Sequence, residues 1–385
     1  MKHDLKLSHY NKNNKAKMKP LDLSKFRKDL TKALPNISTG FNDPKTWVPT
    51  GNYCLNKLIS NSFFKGIPLG KSTILGGASG SGKSFIASGN VVREAQKMGI
   101  FVVLIDTENA LDEAWLKALG VDTAEDKILR ISASMIDDVA KIISDFMKDY
   151  KSNYASEPKE NRPKVMFVVD SLGMLMTATD VDQFERGEMK GDMGRKPKAL
   201  KALVTNVTNM FGEYDIGMVA TNHTYASQDM FDPDPKMSGG AGIVYAASIV
   251  VAMDKRKLKE DEDGNKTSEV NGIRAAIKIM KSRYAKPFET MEIKIPYEAG
   301  MDPYSGLIEF FEQKGVFQKD GNKLKYIDMK GVEHKHFRKQ ISDELLMQMM
   351  QEFDARQEAD ADGVIAEGIV ELEAPSDDDL AALAN

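Results

Sequence analysis

The chain has 385 residues, 42% hydrophobic and 29% charged, with a formal net charge of −4, the balance of an ordinary globular protein. It holds no run of about 18 apolar residues, and its first residues lack the apolar core of a secretory signal. Its single cysteine, Cys54, cannot form an internal disulfide, so a soluble protein of a reducing cytoplasm is expected, with no membrane partner.

The charge is unevenly placed. Residues 1–35 hold ten Lys or Arg against three acids, whereas residues 352–385 are rich in Asp and Glu with Arg356 as the one base. A basic head and an acidic tail bear more on partners than the sum does.

In chain order, residues 1–17 read as disordered, and SKFRKDLTKAL (Ser24 to Leu34) places Phe26, Leu30 and Leu34 at helical spacing. Residues 35–50 read as an extended linker ending near Val48. From Gly51 to about Gly300, short β-rich runs alternate with longer helical stretches. The runs are STILGG (72–77), IFVVLID (100–106), KILRIS (127–132), VMFVVD (165–170), IGMVATN (216–222) and ASIVVAM (247–253). Several are continuous rather than alternating, as in parallel strands buried on both faces. Phe85–Lys97 and Asp137–Lys148 are long enough for crossover helices, so a doubly wound α/β fold is expected. Lys257 to Glu269 reads as a hairpin turn. Residues 303–353 form a small α+β module ending in a helix around Ile341–Phe353, and 354–385 read as an acidic disordered tail. The expected organisation is therefore 1–47, 48–302, 303–353 and 354–385.

GASGSGKS, Gly77 to Ser84, lies between the strand STILGG and a helical segment, and it satisfies G-x-x-x-x-G-K-[ST]. Such a loop wraps a phosphate in backbone N–H groups, and the helix N-terminus adds positive charge. The expected cradle is Gly77, Ser79, Gly80, Ser81, Gly82, Lys83, Ser84 and Phe85, with Lys83 on the β and γ phosphates and Ser84 on Mg²⁺. Asp170, ending a buried strand, is placed to be the second Mg²⁺ oxygen. Glu108, in IDTENALD, is either the base that activates water or a helix N-terminal charge.

GASGSGKS, IDTENALDEAWLKALGVD, VVDSLG, TNHTY and SGGAGIVYAAS occur in the order and spacing of the RecA family, which this chain resembles from about Val48 to Leu307. NHTYASQDMF, KSR (281–283) and DPYSGL (302–307) look most like the phage UvsX branch, implying a host cytoplasm if the chain is phage-encoded. The resemblance implies an RecA-type ATPase core using ATP and Mg²⁺, with Glu108 as its catalytic glutamate. It implies adenine contacts from Asp112 and Trp115, although helix packing also explains Trp115. Asn222 and His223 fall at the sensor position before the second DNA loop, where the family often has Gln in place of His223. Lys281 and Arg283 match a basic pair that reaches the next subunit's phosphates, or they are solvated strand cations. Tyr297 matches a residue that covers the nucleotide.

The resemblance also assigns two loops to DNA. The first supplies Arg186, Lys190, Arg195, Lys196, Lys198 and Lys201, although Arg186 and Asp182 also suit a surface pair. The second supplies Tyr225, Met230, Phe231 and Lys236. Lys255, Arg256 and Lys257 either contact DNA or end a strand. The N-terminal segment would dock on a neighbouring subunit through Phe26, Leu30, Leu34 and Phe41, with Trp47 near its end. The acidic tail either imitates DNA or solubilises the chain. The implied partners are single-stranded and homologous duplex DNA, further copies of the chain in a helical filament, a phage mediator and a single-strand-binding protein. Two other functions share these motifs: a hexameric helicase-type motor and a non-catalytic nucleotide-gated scaffold.

Overall fold

The computed structural model describes residues 21–33, 43–188, 194–227, 235–260, 266–297 and 300–367. The chain divides into two units, Met1–Asn42 and Asp43–Asn385. In the first, the expected helix forms as α1 (Ser24–Ala33), with Phe26 exposed. Leu34 and Phe41 lie outside the described residues.

Trp47 belongs to the second unit, where β1 (Trp47–Val48) pairs with β2 (Ile67–Pro68) and the Trp47 ring meets Tyr284 edge-on at 4.9 Å. Between these strands runs α2 (Tyr53–Ser60). Asn52 caps it by accepting from Leu55 N–H at 2.8 Å, while its own amide donates to the carbonyls of Asp302 and Ser305. This one side chain starts a helix and ties it to the far end of the core.

The main sheet uses β3 (Ser72–Gly77), β4 (Phe101–Asp106), β5 (Ile128–Ser132), β6 (Val165–Asp170), β7 (Gly217–Tyr225), β9 (Ile249–Leu258), β10 (Gly272–Lys281) and β11 (Thr290–Pro296). They stand in the order β11-β10-β9-β3-β7-β6-β4-β5, with β8 (Lys236–Met237) pairing β7 off this path. From β9 to β5 the pairs are parallel, and β9, β10 and β11 are antiparallel. STILGG and VMFVVD are buried at every position because helices cover both faces.

A π-helical turn (Phe85–Val91) continues as α3 (Val92–Lys97); with α4 (Glu113–Ala118) it lies on one face, which holds Ile86, Val91, Leu104 and Leu116. The other face carries α5 (Ile136–Tyr154), α7 (Arg195–Gly212) and α8 (Ala241–Ala246), burying Val139, Phe167, Val204 and Phe211. A short α6 (Ala178–Glu185) precedes α7. The C-terminal part comprises α9 (Leu307–Gln313), a small antiparallel sheet of β12 (Gln318–Asp320), β13 (Lys323–Ile327) and β14 (Glu333–Phe337), and α10 (Asp343–Glu367).

Four local expectations change. Arg195, Lys196, Lys198 and Lys201 stand on the opening turns of α7 rather than in a loop; Pro197 is tolerated there because a first-turn residue needs no helical N–H partner. Tyr225 and Lys236 face one another across the β7–β8 ribbon, so the second loop has paired strands at its base. Residues 303–353 do not form their own core: Phe310, Phe311, Phe317 and Met350 join the same cluster as Leu55 and Phe63. Finally, α10 runs on to Glu367, through the start of the expected tail. Lys190, Met230, Phe231 and residues 368–385 lie outside the described residues.

Candidate nucleotide and DNA site

The phosphate loop is shaped by glycine where nothing larger fits. A Cβ on Gly77 would stand 2.3 Å from the Met253 carbonyl oxygen, and Gly80 and Gly82 take φ of +71° and +91°, in the left-handed region. Lys83 folds under the loop, almost buried, and donates to Ala78 O at 2.9 Å. Burial lowers its pKa, opposed by Asp170 and Glu108. The buried Ser81 hydroxyl has no partner among the described residues. An orphaned donor beside an ammonium in a left-handed glycine cradle is the donor set a phosphate needs.

Beside the loop, β4 and β6 bring Asp106 and Asp170 into register at their C-terminal ends. Their environments set different tasks. Asp106 is fully buried: it accepts from Glu108, Ala110 and Leu111 N–H groups and from Arg130 Nη2 at 2.6 Å, so it shapes the turn that carries Glu108. Asp170 accepts from the hydroxyls of Ser88, at 2.8 Å, and Thr221. The tips of the two strands are latched by Thr107 Oγ1, which accepts from Ser171 N–H and donates to Ser171 O, both at 2.7 Å. The Asp170–Ser171 peptide is cis.

Glu108 Oε1 accepts from Ser171 Oγ at 2.7 Å and stands 3.2 Å from His223 Nε2. His223 lies on β7, in register with Gly77, and the neighbouring Asn222 donates to Ser238 O at 2.9 Å across the base of the second loop. One carboxylate oxygen therefore touches both the tip of β6 and the strand that leads into that loop.

A cavity of about 520 Å³ opens from the phosphate loop and is lined by Lys83, Ser84, Phe85, Asn90, Trp115 and Tyr297 among others. Trp115 and Tyr297 both line this cavity beside the phosphate loop. Asp112 is not among the lining residues; its Oδ1 accepts from Trp115 N–H at 2.9 Å and caps α4.

The basic residues divide. Lys281 Nζ donates to the carbonyls of Val244, Tyr245 and Ala247, closing the C-terminal end of α8 in its own chain. Arg283 is exposed, with no ion pair among the described residues. Lys255 donates to Ser79 O on the phosphate loop, and Arg256 pairs with Glu292 at 2.6 Å. Lys196 reaches Gly173 O at 2.8 Å, and Arg195 reaches Thr179 Oγ1 at 3.0 Å. Arg186 lies 3.9 Å from Asp182, a loose surface pair, and Lys198 and Lys201 are exposed.

Residues absent from the sequence reading have weak signals of their own. Ser171 and Thr221 sit beside recognised motif residues, whereas Arg130 and Ser88 reach the site only through strand order. In the comparison with known proteins, the family model for the RecA N-terminal domain matches residues 43–302. The chain belongs to the RecA family. It is 28% identical over 312 residues to the "Recombination and repair protein" of Enterobacteria phage T4, covering 80% of this chain and 72% of that protein. It is also 28% identical to "Protein RecA" of Corynebacterium urealyticum over 320 residues (81% and 78%) and to that of Fusobacterium nucleatum over 307 residues (78% and 74%). At the level of the RecA family it is a RecA-type recombinase.

Proposed function

We propose that the chain is a DNA-dependent ATPase that assembles as a helical filament on single-stranded DNA, pairs it with homologous duplex and exchanges strands. The observation that carries this reading is the shared Glu108 oxygen, held by Ser171 at 2.7 Å and lying 3.2 Å from His223 on the strand entering the second loop. A hydrolytic carboxylate wired to that strand is what coupling between DNA and turnover requires.

Lys83 and Ser81 take the β and γ phosphates, and the glycine loop supplies N–H groups around them. The Ser84 hydroxyl and the Asp170 carboxylate, both hard oxygen donors, would hold Mg²⁺, which spreads the phosphate charge. Glu108 orients the attacking water and accepts its proton. His223 lies 3.2 Å from Glu108 Oε1, so a shift of His223 when DNA fills the second loop would change how that carboxylate is held. Arg283 is free to reach a neighbouring subunit's phosphates. Arg186, Lys198 and Lys201 would follow the DNA backbone, and Tyr225 offers an exposed ring for stacking. Contacts of this kind are blind to sequence and leave recognition to base pairing. A mediator and a single-strand-binding protein are the partners such a filament calls for.

The test is ATP turnover with and without single-stranded DNA, with electron microscopy of the assemblies. The expected result is strong stimulation on open helical filaments. Lys83→Ala should abolish turnover, and Glu108→Gln should leave a stable ATP-bound filament. Equal turnover with and without DNA, and no assembly, would overturn the reading; closed rings would favour a helicase-type motor.

A further inference from the structure

We propose that Asn90 reads the edge of the nucleobase and so sets base specificity in the cavity beside the phosphate loop; this rests on reading that cavity as the ATP site. Asn90 stands on the π-helical turn that follows the loop, is only 2% exposed, and lines the cavity. Its carboxamide makes no hydrogen bond among the described residues, and its polar atoms are not sealed in the core but keep access to open space. A nearly buried amide that lines a cavity and has no protein partner is one that a ligand or water can complete.

The surroundings say which ligand group that is. Trp115, Leu119 and Ile295 give the cavity apolar surface suited to a flat ring, and Lys83 marks its phosphate end. Arg93 also lines the wall, but its guanidinium is already fixed by Leu119 O at 3.1 Å and Glu94 at 3.0 Å. Asp112, the carboxylate expected at the base, caps α4 through Oδ1 and does not line the cavity. Asn90 therefore offers the buried acceptor and donors that remain. An amide oxygen accepts from the amino group of adenine while its N–H donates to the adjacent ring nitrogen, the paired match that a carboxamide makes with this base. Asn90 sits within the π-helical turn itself, a local geometry that occurs frequently at functional sites.

The experiment compares the binding of ATP and of purine riboside triphosphate, which lacks the amino group, by displacement of a fluorescent ATP analogue. Wild-type protein, Asn90→Leu and Asn90→Ser are measured, with folding checked by circular dichroism. The wild type should prefer ATP by roughly tenfold, as expected where a buried polar group loses its partner. Both variants should bind the two nucleotides alike, near the weaker wild-type value. A wild type indifferent to the amino group overturns the proposal, as does a folded variant that keeps the preference. Failure of the wild type to bind either triphosphate sinks instead the reading of the cavity as an ATP site.

Discussion

Lys83 shows how placement changes a residue whose identity alone names its partner. Any lysine in this motif attracts phosphate, but this one is buried, and burial lowers its pKa against the pull of Asp170 and Glu108. Only the protonated form binds phosphate well, so raising the pH weakens ATP binding, beginning below the ordinary lysine range of about 10.4. Titration with a fluorescent ATP analogue between neutral pH and about pH 10 should show this loss in the wild type. Lys83→Arg should bind more weakly but hold its affinity over the same range, because a guanidinium stays charged. Glu108 was legible in the sequence as one of two possibilities; its contacts with Ser171 and His223 were not. Asp106 and Glu108 look equivalent two residues apart, yet one is buried under backbone N–H groups and the other faces the site.

Elements were predicted well where a residue pattern carried them. STILGG and VMFVVD fall at β3 and β6 with the expected bounds, and the hairpin after ASIVVAM forms as β9 and β10. The first loop expected to bind DNA was misread at its C-terminal end because glycines and cations preceding Pro197 masked the apolar spacing of Leu200, Leu203, Val204 and Val207, which faces α7 into the core. At this scale α10 depends on one buried cation. Lys57, on α2, donates to Asp354 and Gln357 at 2.7 Å and to Asn61 O at 2.8 Å, and lies over the rings of Phe63 and Phe353. Asp354 is partly exposed and can rehydrate when Lys57 is removed, which limits the loss. Lys57→Ala should therefore cost about 2–3 kcal/mol in urea unfolding, below the largest values for broken buried pairs. Its main local effect should be faster hydrogen exchange in the middle of α10, around Asp354 and Gln357.

For the whole molecule, the C-terminal residues complete the core. Phe63, Phe310, Phe311 and Phe353 pack edge-to-face or tilted, with ring centroids 5.5 to 5.9 Å apart. Phe311→Ala removes a fully buried ring from this cluster and should cost about 3–5 kcal/mol. Calorimetry should show one transition for Asp43–Asn385 shifted downward; an early, separate melt of the C-terminal part would contradict a shared core. The sequence by itself determined the phosphate loop, the parallel core and membership in the RecA family, because each rests on short-range spacing that any reader of the chain can check. Only the tertiary structure decided that Asp112 caps a helix, that Lys281 closes α8, and that Asn90 lines the cavity without a partner. Those outcomes depend on strand order and on which face of a helix is covered, and neither is encoded within a single segment.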